Sequence, residues 1–250
     1  MLDISNYQLI GSVIAIFLAA IVRGFAGFGF SLLAISMMSL FIAPATIIPS
    51  MFLLEIAASL NQLPSIWRDI DWRSLRPLII GCLVGTPLGV YLLAMFPPLP
   101  LQLGLGIFVL VTTMLMWKGF RLKHMPSSAA TFVAGAASGF ANGSVGIGGP
   151  PAILFYFSSP AAATASRASL IAYFLCTDVI GLPMLYKAGL VTGSTLLKAA
   201  IFLPFLLAGI WFGARSFKSV DPAKFRKIVL GILAVLALLI LAKASYQMFA

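Results

Sequence analysis

Charged residues are scarce in this chain of 250 residues, and acidic residues are the scarcest. The charged types make up 9% of it, with 6 acidic and 16 basic side chains, whereas 61% of the residues are hydrophobic. A soluble domain has a charged share of about 25% and an apolar share of roughly 45 to 50%. The composition therefore excludes a soluble globular domain, because no core surrounded by water could hold so much apolar surface.

Cysteine and histidine are nearly absent, which argues against metal centres and disulfide frameworks. Cys82 and Cys176 lie in apolar stretches without metal-ligand spacing, so we expect two small buried hydrophobic residues. The single histidine, His124, lies in a basic loop with no second ligand beside it. Ser144 stands in a turn-like Asn-Gly-Ser-Val-Gly run, but no histidine within the membrane could activate it. We predict no metal, no cofactor and no catalytic residue, and therefore not an enzyme.

Long apolar runs separated by short polar breaks are abundant instead. Such runs are typical of helices that satisfy their backbone hydrogen bonds internally in lipid, and they predict an all-α polytopic membrane protein. The start of the chain carries Asp3 and no basic residue, so we expect the first run to remain in the mature protein rather than to act as a cleavable signal. The runs cover about residues 7–22, 28–42, 45–64, 76–95, 99–117, 129–141, 147–158, 164–186, 192–213 and 228–248.

The runs divide into two halves, residues 1–125 and 126–250, which correspond run for run. This internal symmetry predicts two transmembrane repeats, as in many secondary transporters. Local sequence agrees at three matched places: Gly24-Phe25-Ala26 with Gly139-Phe140-Ala141, Pro44 with Pro160, and Gly85 and Gly89 with Gly209 and Gly213.

The first two runs of each half are short. As helices they measure about 18 to 24 Å, against a hydrocarbon core of about 30 Å, whereas the other six runs measure about 29 to 35 Å. We therefore expect each short pair to form a helical hairpin that breaks at its glycine-rich centre near the midplane, followed by three full transmembrane helices. The sequence leaves open whether these pairs are re-entrant or fully spanning.

The basic residues favour an odd number of crossings in each half. With an odd number, the basic clusters lie on one side of the membrane, as the positive-inside bias requires, so the repeats are inverted and both termini are periplasmic. This distribution also accounts for the net charge of +10 without a nucleic-acid partner. The clusters are Arg68, Arg73 and Arg76; Lys118, Arg121 and Lys123; and Arg215, Lys218, Lys224, Arg226 and Lys227.

Two glycine-rich breaks, within residues 23–30 and 138–151, are the candidate substrate site. Glycine runs unwind a helix and expose N–H groups, and the half-helices that follow direct positive dipole ends at an anion. The alternative is tight helix packing through small residues, which is common in membranes. The predicted substrate-binding residues are Arg23, Gly24, Gly27, Phe28, Gly29, Asn142, Gly143, Ser144, Gly146, Gly148, Gly149 and Arg167.

Four ionisable residues lie in or near the apolar runs and are functional candidates. Arg23 lies at the first hairpin tip, where its planar fork suits a sulfonate, sulfite or carboxylate; with five crossings per half it is an ordinary anchor at the membrane edge. Arg167 is a second site candidate or a helix anchor. Glu55 and Asp178 lie near the middle of their runs, where they carry a coupling proton or neutralise an arginine.

The two glycine-rich breaks, the second with Gly146, Gly148 and Gly149, resemble those of the TauE/SafE family of membrane transporters over nearly the whole chain. The resemblance implies movement of sulfur-containing anions, generally export across the bacterial cytoplasmic membrane, with Gly27 and Gly29 as the counterparts in the first half. Pro150 replaces the third of three consecutive glycines that is commoner in the family. Phe28 and Phe30 occupy a break that is usually plainer, where they narrow the pocket or contact an organic tail.

Together these observations predict a secondary transporter in the inner membrane, with a midplane site and alternating access. Its expected partners are a small anion, such as sulfite, sulfoacetate or a similar organosulfonate, and membrane lipid. The sequence does not decide between proton coupling and no coupling, or between a homodimer and other oligomeric states. The alternatives are a passive anion channel and, in a different class, a membrane scaffold or an intramembrane enzyme.

Overall fold

The described part of the chain is all helical and contains no strand. The computed structural model describes residues 4–119, 126–158, 163–216 and 222–249. A short 3-10 turn, Trp67–Asp69, extends α3. The α-helices are α1 (Asn6–Ala26), α2 (Phe30–Met38), α3 (Pro44–Ile66), α4 (Trp72–Met95), α5 (Pro98–Lys118), α6 (Ser128–Val145), α7 (Gly149–Ser158), α8 (Ala163–Lys187), α9 (Gly193–Ser216) and α10 (Pro222–Phe249).

Proline and glycine mark many of the helix boundaries. Pro44 and Pro98 stand at the first positions of α3 and α5, where a missing N–H costs nothing. Asp71 caps α4 by accepting hydrogen bonds from the backbone N–H groups of Arg73 and Ser74. Gly119 ends α5 in the left-handed conformation. These signals explain why the predicted runs and the observed helices correspond one to one.

Seven helices among the described residues are long and apolar enough to cross a membrane: α1, α3 with its 3-10 extension, α4, α5, α8, α9 and α10. The prediction of a polytopic α-helical membrane protein is confirmed. The most buried spans are α3 and α8, which pack against each other and form the centre of the bundle.

The glycine-rich breaks lie later in the chain than expected. The first helix continues through Gly24 to Ala26, so that α1 has 21 residues and the length of a full span rather than of a short segment. In the same way α6 continues through Asn142 and Gly143 to Val145. Glycine and alanine remain helical here because they pack against a neighbouring helix. At the ends of α1 and α6 the backbone leaves the helix where a glycine has a positive φ.

Each broken pair of helices nevertheless returns to the end of the bundle where it began. The end of α2 lies beside the start of α1, since the Gln8 side chain donates a hydrogen bond to the Phe41 carbonyl at 2.7 Å. The end of α7 lies beside the start of α4, since the hydroxyls of Tyr156 and Ser74 are 3.1 Å apart. Helix α6 also begins next to the start of α4. The two hairpins therefore enter the bundle from opposite ends.

Hydrogen bonds between the starts of helices define the two ends of the bundle, and these ends differ in charge. A hydrogen bond from the Asp71 N–H to Ser169 Oγ, 2.9 Å long, joins the start of α4 to the start of α8. At the other end, Ser50 Oγ bonds to the Thr195 carbonyl at 3.3 Å and joins the starts of α3 and α9. We call the end with the start of α4 the basic end, because the described parts of all three basic clusters lie there: Arg68, Arg73, Arg76, Lys118, Arg215, Lys224 and Lys227.

Aromatic side chains mark both ends. All four tryptophans of the chain are exposed at the basic end, whereas exposed tyrosines lie at the opposite end. Along α4, Trp72 and Tyr91 are separated by about 28 Å, close to the thickness of the hydrocarbon core. Such belts locate the two membrane interfaces. The tryptophans are Trp67, Trp72, Trp117 and Trp211, and the tyrosines are Tyr7, Tyr91, Tyr186 and Tyr246.

Each hairpin packs mainly against a helix of the other half. Helices α4 and α6 run parallel in close backbone contact, where a Cβ on any of the facing glycines would collide with a carbonyl group of the partner helix. Helix α1 makes the corresponding contact with α9 through Gly24, Gly209 and Gly213. The facing glycines of the first pair are Gly81, Gly85 and Gly89 of α4 and Gly135, Gly139 and Gly143 of α6.

Candidate functional site

A buried ion pair lies at the centre of the bundle. Arg23, in the last turn of α1, is completely buried, and its Nη1 is 2.7 Å from Oε2 of Glu55. Its Nη2 donates a hydrogen bond to Ser59 Oγ at 2.8 Å. Removing a guanidinium from water costs several kcal/mol unless it is paired. Glu55 and Ser59 lie one turn apart on α3, so one helix supplies both partners.

The Glu55 carboxylate also lies at the start of α2. Its Oε1 accepts a hydrogen bond from Ser31 Oγ at 2.8 Å and a longer one, 3.4 Å, from the Ser31 backbone N–H. Ser31 is the second residue of α2, and Gly29 before the helix offers no side-chain cap. The unpaired N–H groups and the dipole of a helix N-terminus favour an anion at this position. The protein's own carboxylate therefore occupies an anion position.

The first break depends on two glycines. Gly27 and Gly29 have φ angles of 83° and 93°, a region that residues with a side chain avoid. A Cβ on Gly27 would be 2.6 Å from Nε of Arg167, so the guanidinium of α8 passes directly over the break. Phe28, between the two glycines, packs against the core. Arg167, given from the sequence as a site candidate or a helix anchor, thus lies at the first break.

The second break is built from amide and carboxyl groups rather than from an ion pair. Gly146 ends α6 with a φ of 71°, and the Asn142 side chain accepts a hydrogen bond from the Gly148 N–H at 3.2 Å. The Asn142 amide also donates to Oδ1 of Asp178 at 2.9 Å. Ser138 Oγ donates to the Gly148 carbonyl and closes the turn. Asn142 thereby links the start of α7 to the middle of α8.

The two breaks face one common centre. Asp178 is close enough to interact electrostatically with Glu55 and Arg23. Phe174, one turn before Asp178, lies beneath the Arg23 guanidinium with its ring centre 5.6 Å away, and a Cβ on Gly149 would touch the same ring at 3.6 Å. Residues from α1, α2, α3, α6, α7 and α8 therefore converge between the hairpin tips.

The chain matches the sulfite exporter TauE/SafE family over residues 12–240. It belongs to that family. The chain is also 28% identical over 213 residues, 83% of each chain, to a protein of Cupriavidus necator described as a probable sulfite/organosulfonate exporter TauE. No solved structure matches it. The family is one of membrane transporters.

Three of the residues predicted to bind substrate lie inside helices and contact neighbouring backbone. Gly24 and Gly143 lie inside helices and abut backbone atoms of Ile210 and Thr86. Ser144 bonds back to the Phe140 carbonyl of its own helix at 2.7 Å. The packing alternative raised from the sequence accounts for these positions. The remaining predicted residues lie at the breaks or in the cluster.

Other residues of the cluster carried no signal in the sequence. Ser31, Ser59 and Phe174 are common residue types in membrane helices, and only the fold brings them to Arg23 and Glu55. The spacing of Ser59 one turn after Glu55 was the one available hint, since it places both side chains on one face of α3.

The two cysteines are free thiols in the described part of the chain. Cys82 is buried and Cys176 half-buried, and neither forms a disulfide. Within the described ranges, no group of three His, Cys, Asp or Glu side chains could hold a metal ion. His124 and Pro160 lie outside the described residues.

A separate cleft lies at the basic end, away from the cluster. It has a volume of about 520 Å³ and lies between the starts of α4 and α6, at the far end of α6 from its break. Its walls include Arg73, Arg76 and Trp72. Because these side chains are exposed, the cleft is a surface feature at the membrane interface and not the central site of the transporter.

Proposed function

We propose that this chain is a secondary transporter that exports a small sulfur-containing anion, such as sulfite, sulfoacetate or a similar organosulfonate, across the bacterial inner membrane. The observation that carries the proposal is Arg23, a fully buried guanidinium beside a helix break at the centre of the bundle. The guanidinium fork matches two oxygens of a sulfonate or carboxylate. The name of the relative from Cupriavidus necator supports the substrate class.

The anion is proposed to bind between the two hairpin tips. Arg23 and Arg167 supply positive charge, and the starts of α2 and α7 supply backbone N–H groups. The residues that shape the site are the glycines of the breaks, Gly27, Gly29, Gly146, Gly148 and Gly149, with Phe28 and Asn142. We assign Gly24, Gly143 and Ser144 a supporting role through helix packing.

Inverted repeats and alternating access complete the proposal. This part of the proposal is supported by the two hairpins, which enter the bundle from opposite ends, and by equivalent contacts at the two ends of the bundle. At the basic end, Asp71 bonds to Ser169 and joins α4 to α8. At the opposite end, Lys198 Nζ donates to the Thr46 carbonyl at 2.8 Å and joins α9 to α3. Opening one contact while the other stays closed would expose the site to one side at a time.

The basic end is proposed to face the cytoplasm, which makes both termini periplasmic. Proton coupling is proposed to involve Glu55 and Asp178, the carboxyl groups beside the two breaks. If it operates, a pH gradient across vesicles changes the rate of anion transport, and equal rates with and without the gradient would refute it.

Purified protein in liposomes tests the transport function directly. Labelled sulfite, sulfoacetate and a simple carboxylate would be offered to the wild type and to Arg215→Ala, an exposed basic-end control that stacks on Trp211. We expect saturable uptake and counterflow of at least one sulfur-containing anion by both proteins. Uptake without saturation or counterflow would indicate a channel. If no anion moved, the scaffold or enzyme alternative would replace the proposal.

A further inference from the structure

We propose that Glu55 is an internal competitor of the transported anion, so that substrate binds only when Glu55 is protonated. The inference rests on the proposed transport function and specifies how its site is controlled. In this structure the Glu55 carboxylate sits against Arg23 and the start of α2, the position that attracts an external anion.

The donors at this position are engaged by Glu55. The Arg23 guanidinium faces Oε2, and the Ser31 hydroxyl and N–H face Oε1. A sulfonate or carboxylate head group needs the same charge and donors, so it cannot bind there while Glu55 remains in place. Arg23 Nε is buried and has no hydrogen-bond partner among the described residues. The guanidinium thus retains a donor for a head group with more oxygens than a carboxylate.

The charges of the cluster lead to the same rule. The Arg23–Glu55 ion pair has a net charge of zero. An added anion would leave a net negative charge at the membrane centre, where an uncompensated charge is expensive. If Glu55 takes up one proton as one monoanion binds, the cluster stays neutral.

The two carboxyl groups have different environments, which assigns the competing role to Glu55. Asp178 accepts a hydrogen bond from the Asn142 amide and lies beside the second break. The charged groups around Glu55 are Arg23 from α1 and Asp178 from α8, with Arg167 behind Arg23, and α2 contributes the uncharged Ser31. Only Glu55 contacts both the buried guanidinium and a helix N-terminus.

The competition fixes a preference among substrates. A head group that replaces a carboxylate must carry a single charge and fit between Arg23 and Ser31. Sulfonates and hydrogen sulfite meet this requirement better than a compact dianion such as sulfate, which would leave the cluster negative. We therefore expect sulfate to bind more weakly than a monovalent sulfonate of similar size.

Binding of methanesulfonate to the purified protein at different pH values tests the inference, because this anion keeps one negative charge throughout. Ligand-induced thermal stabilisation gives the apparent Kd. For the wild type, affinity should fall as the pH rises, by up to about tenfold per pH unit, as expected for uptake of one proton. Glu55→Gln should bind with an affinity that does not depend on pH and equals or exceeds that of the wild type at low pH.

Asp69→Asn is the control, because it neutralises an exposed carboxyl group at the basic end, outside the central cluster. It should keep the pH dependence of the wild type. If Glu55→Gln does not fold, Glu55→Ala replaces it, because it also removes the competing carboxyl group, and its affinity should again be independent of pH.

The outcomes separate the inference from the function. Wild-type binding that is independent of pH, loss of binding in a folded Glu55→Gln protein, or pH-dependent binding in Glu55→Ala would overturn the competitor role and leave transport intact. If the wild type neither binds methanesulfonate nor transports sulfite or sulfoacetate at any pH, the proposed function fails and the inference fails with it.

Discussion

The two helix breaks have similar backbones and different chemistry. Both end a helix at a glycine with positive φ, and both are followed by a short helix that leads back to its starting end. The first break holds a guanidinium paired with a carboxylate, whereas the second holds an amide bonded to a carboxyl group. The two breaks therefore share a backbone conformation, and we expect charge selection to depend on the first.

The largest effect is expected in the thiol labelling of the two hairpins from outside the cell. In a protein with Cys82 and Cys176 replaced by serine, a cysteine at Tyr7 and one at Ser128 would report the entry points of α1 and α6, since both positions are exposed. A membrane-impermeant thiol reagent added to intact cells should label Tyr7→Cys and leave Ser128→Cys unlabelled. Labelling of both from outside would refute the opposed hairpins, and permeabilised cells provide the control.

The next largest effect concerns the charge difference between the breaks. Arg23→Ala should reduce transport by roughly 100-fold or more, because it removes the guanidinium that pairs with Glu55 at the proposed anion position. Asn142→Ala should reduce it by roughly 10-fold, since it removes neutral hydrogen bonds, each a net contribution of about 1 kcal/mol. Initial rates of labelled sulfonate uptake would measure both.

Stability must be controlled in this comparison, because Arg23→Ala leaves Glu55 buried and unpaired. The double variant Arg23→Ala/Glu55→Ala removes both charges and should regain much of the lost thermal stability without regaining transport. Equal losses of transport in Arg23→Ala and Asn142→Ala would show that the two breaks contribute alike.

A smaller effect separates the two glycines of the first break. Gly27→Ala combines a positive φ with a collision against Arg167, whereas a Cβ on Gly29 would meet only Val22 at 3.5 Å. Gly29→Ala should cost about 1 to 2 kcal/mol, the usual penalty of the left-handed region, and Gly27→Ala should cost more. Thermal unfolding in detergent measures both, and a larger loss in Gly29→Ala would contradict the close approach of Arg167.

The smallest difference is expected between the hydroxyl groups that support the two breaks. Ser59→Ala removes the hydrogen bond that the charged Arg23 donates to the Ser59 hydroxyl. Hydrogen bonds to charged groups contribute about 1.5 to 3 kcal/mol to stability. Ser138→Ala removes a neutral bond to the Gly148 carbonyl and should cost about 1 kcal/mol. The KM for the transported anion should therefore rise more in Ser59→Ala than in Ser138→Ala.

The sequence predicts the number and order of the helices because lipid requires long apolar runs, and the runs end at proline, glycine and basic residues. It does not predict where a helix breaks within a glycine-rich run. Gly24 and Gly27 look alike in the sequence, and only the contact of Gly24 with Ile210 keeps the chain helical there.

The sequence likewise predicts only some of the residues of the site. Arg23, Glu55, Arg167 and Asp178 stand out because ionisable residues in apolar runs are expensive. Their partners do not stand out, since Ser31 gains its role from a turn that brings α2 back onto α3. The segregation of tryptophan and tyrosine between the two interfaces was present in the sequence, but it has meaning only once the helix directions are known.

The glycine contacts between α4 and α6 and between α1 and α9 make the halves of the chain mechanically inseparable. Each hairpin is fastened to a helix from the other half, so the parts that can shift against each other are mixtures of both halves. One half by itself would leave a row of glycines without the helix that covers them. A displacement of either hairpin would therefore have to carry a helix of the other half with it.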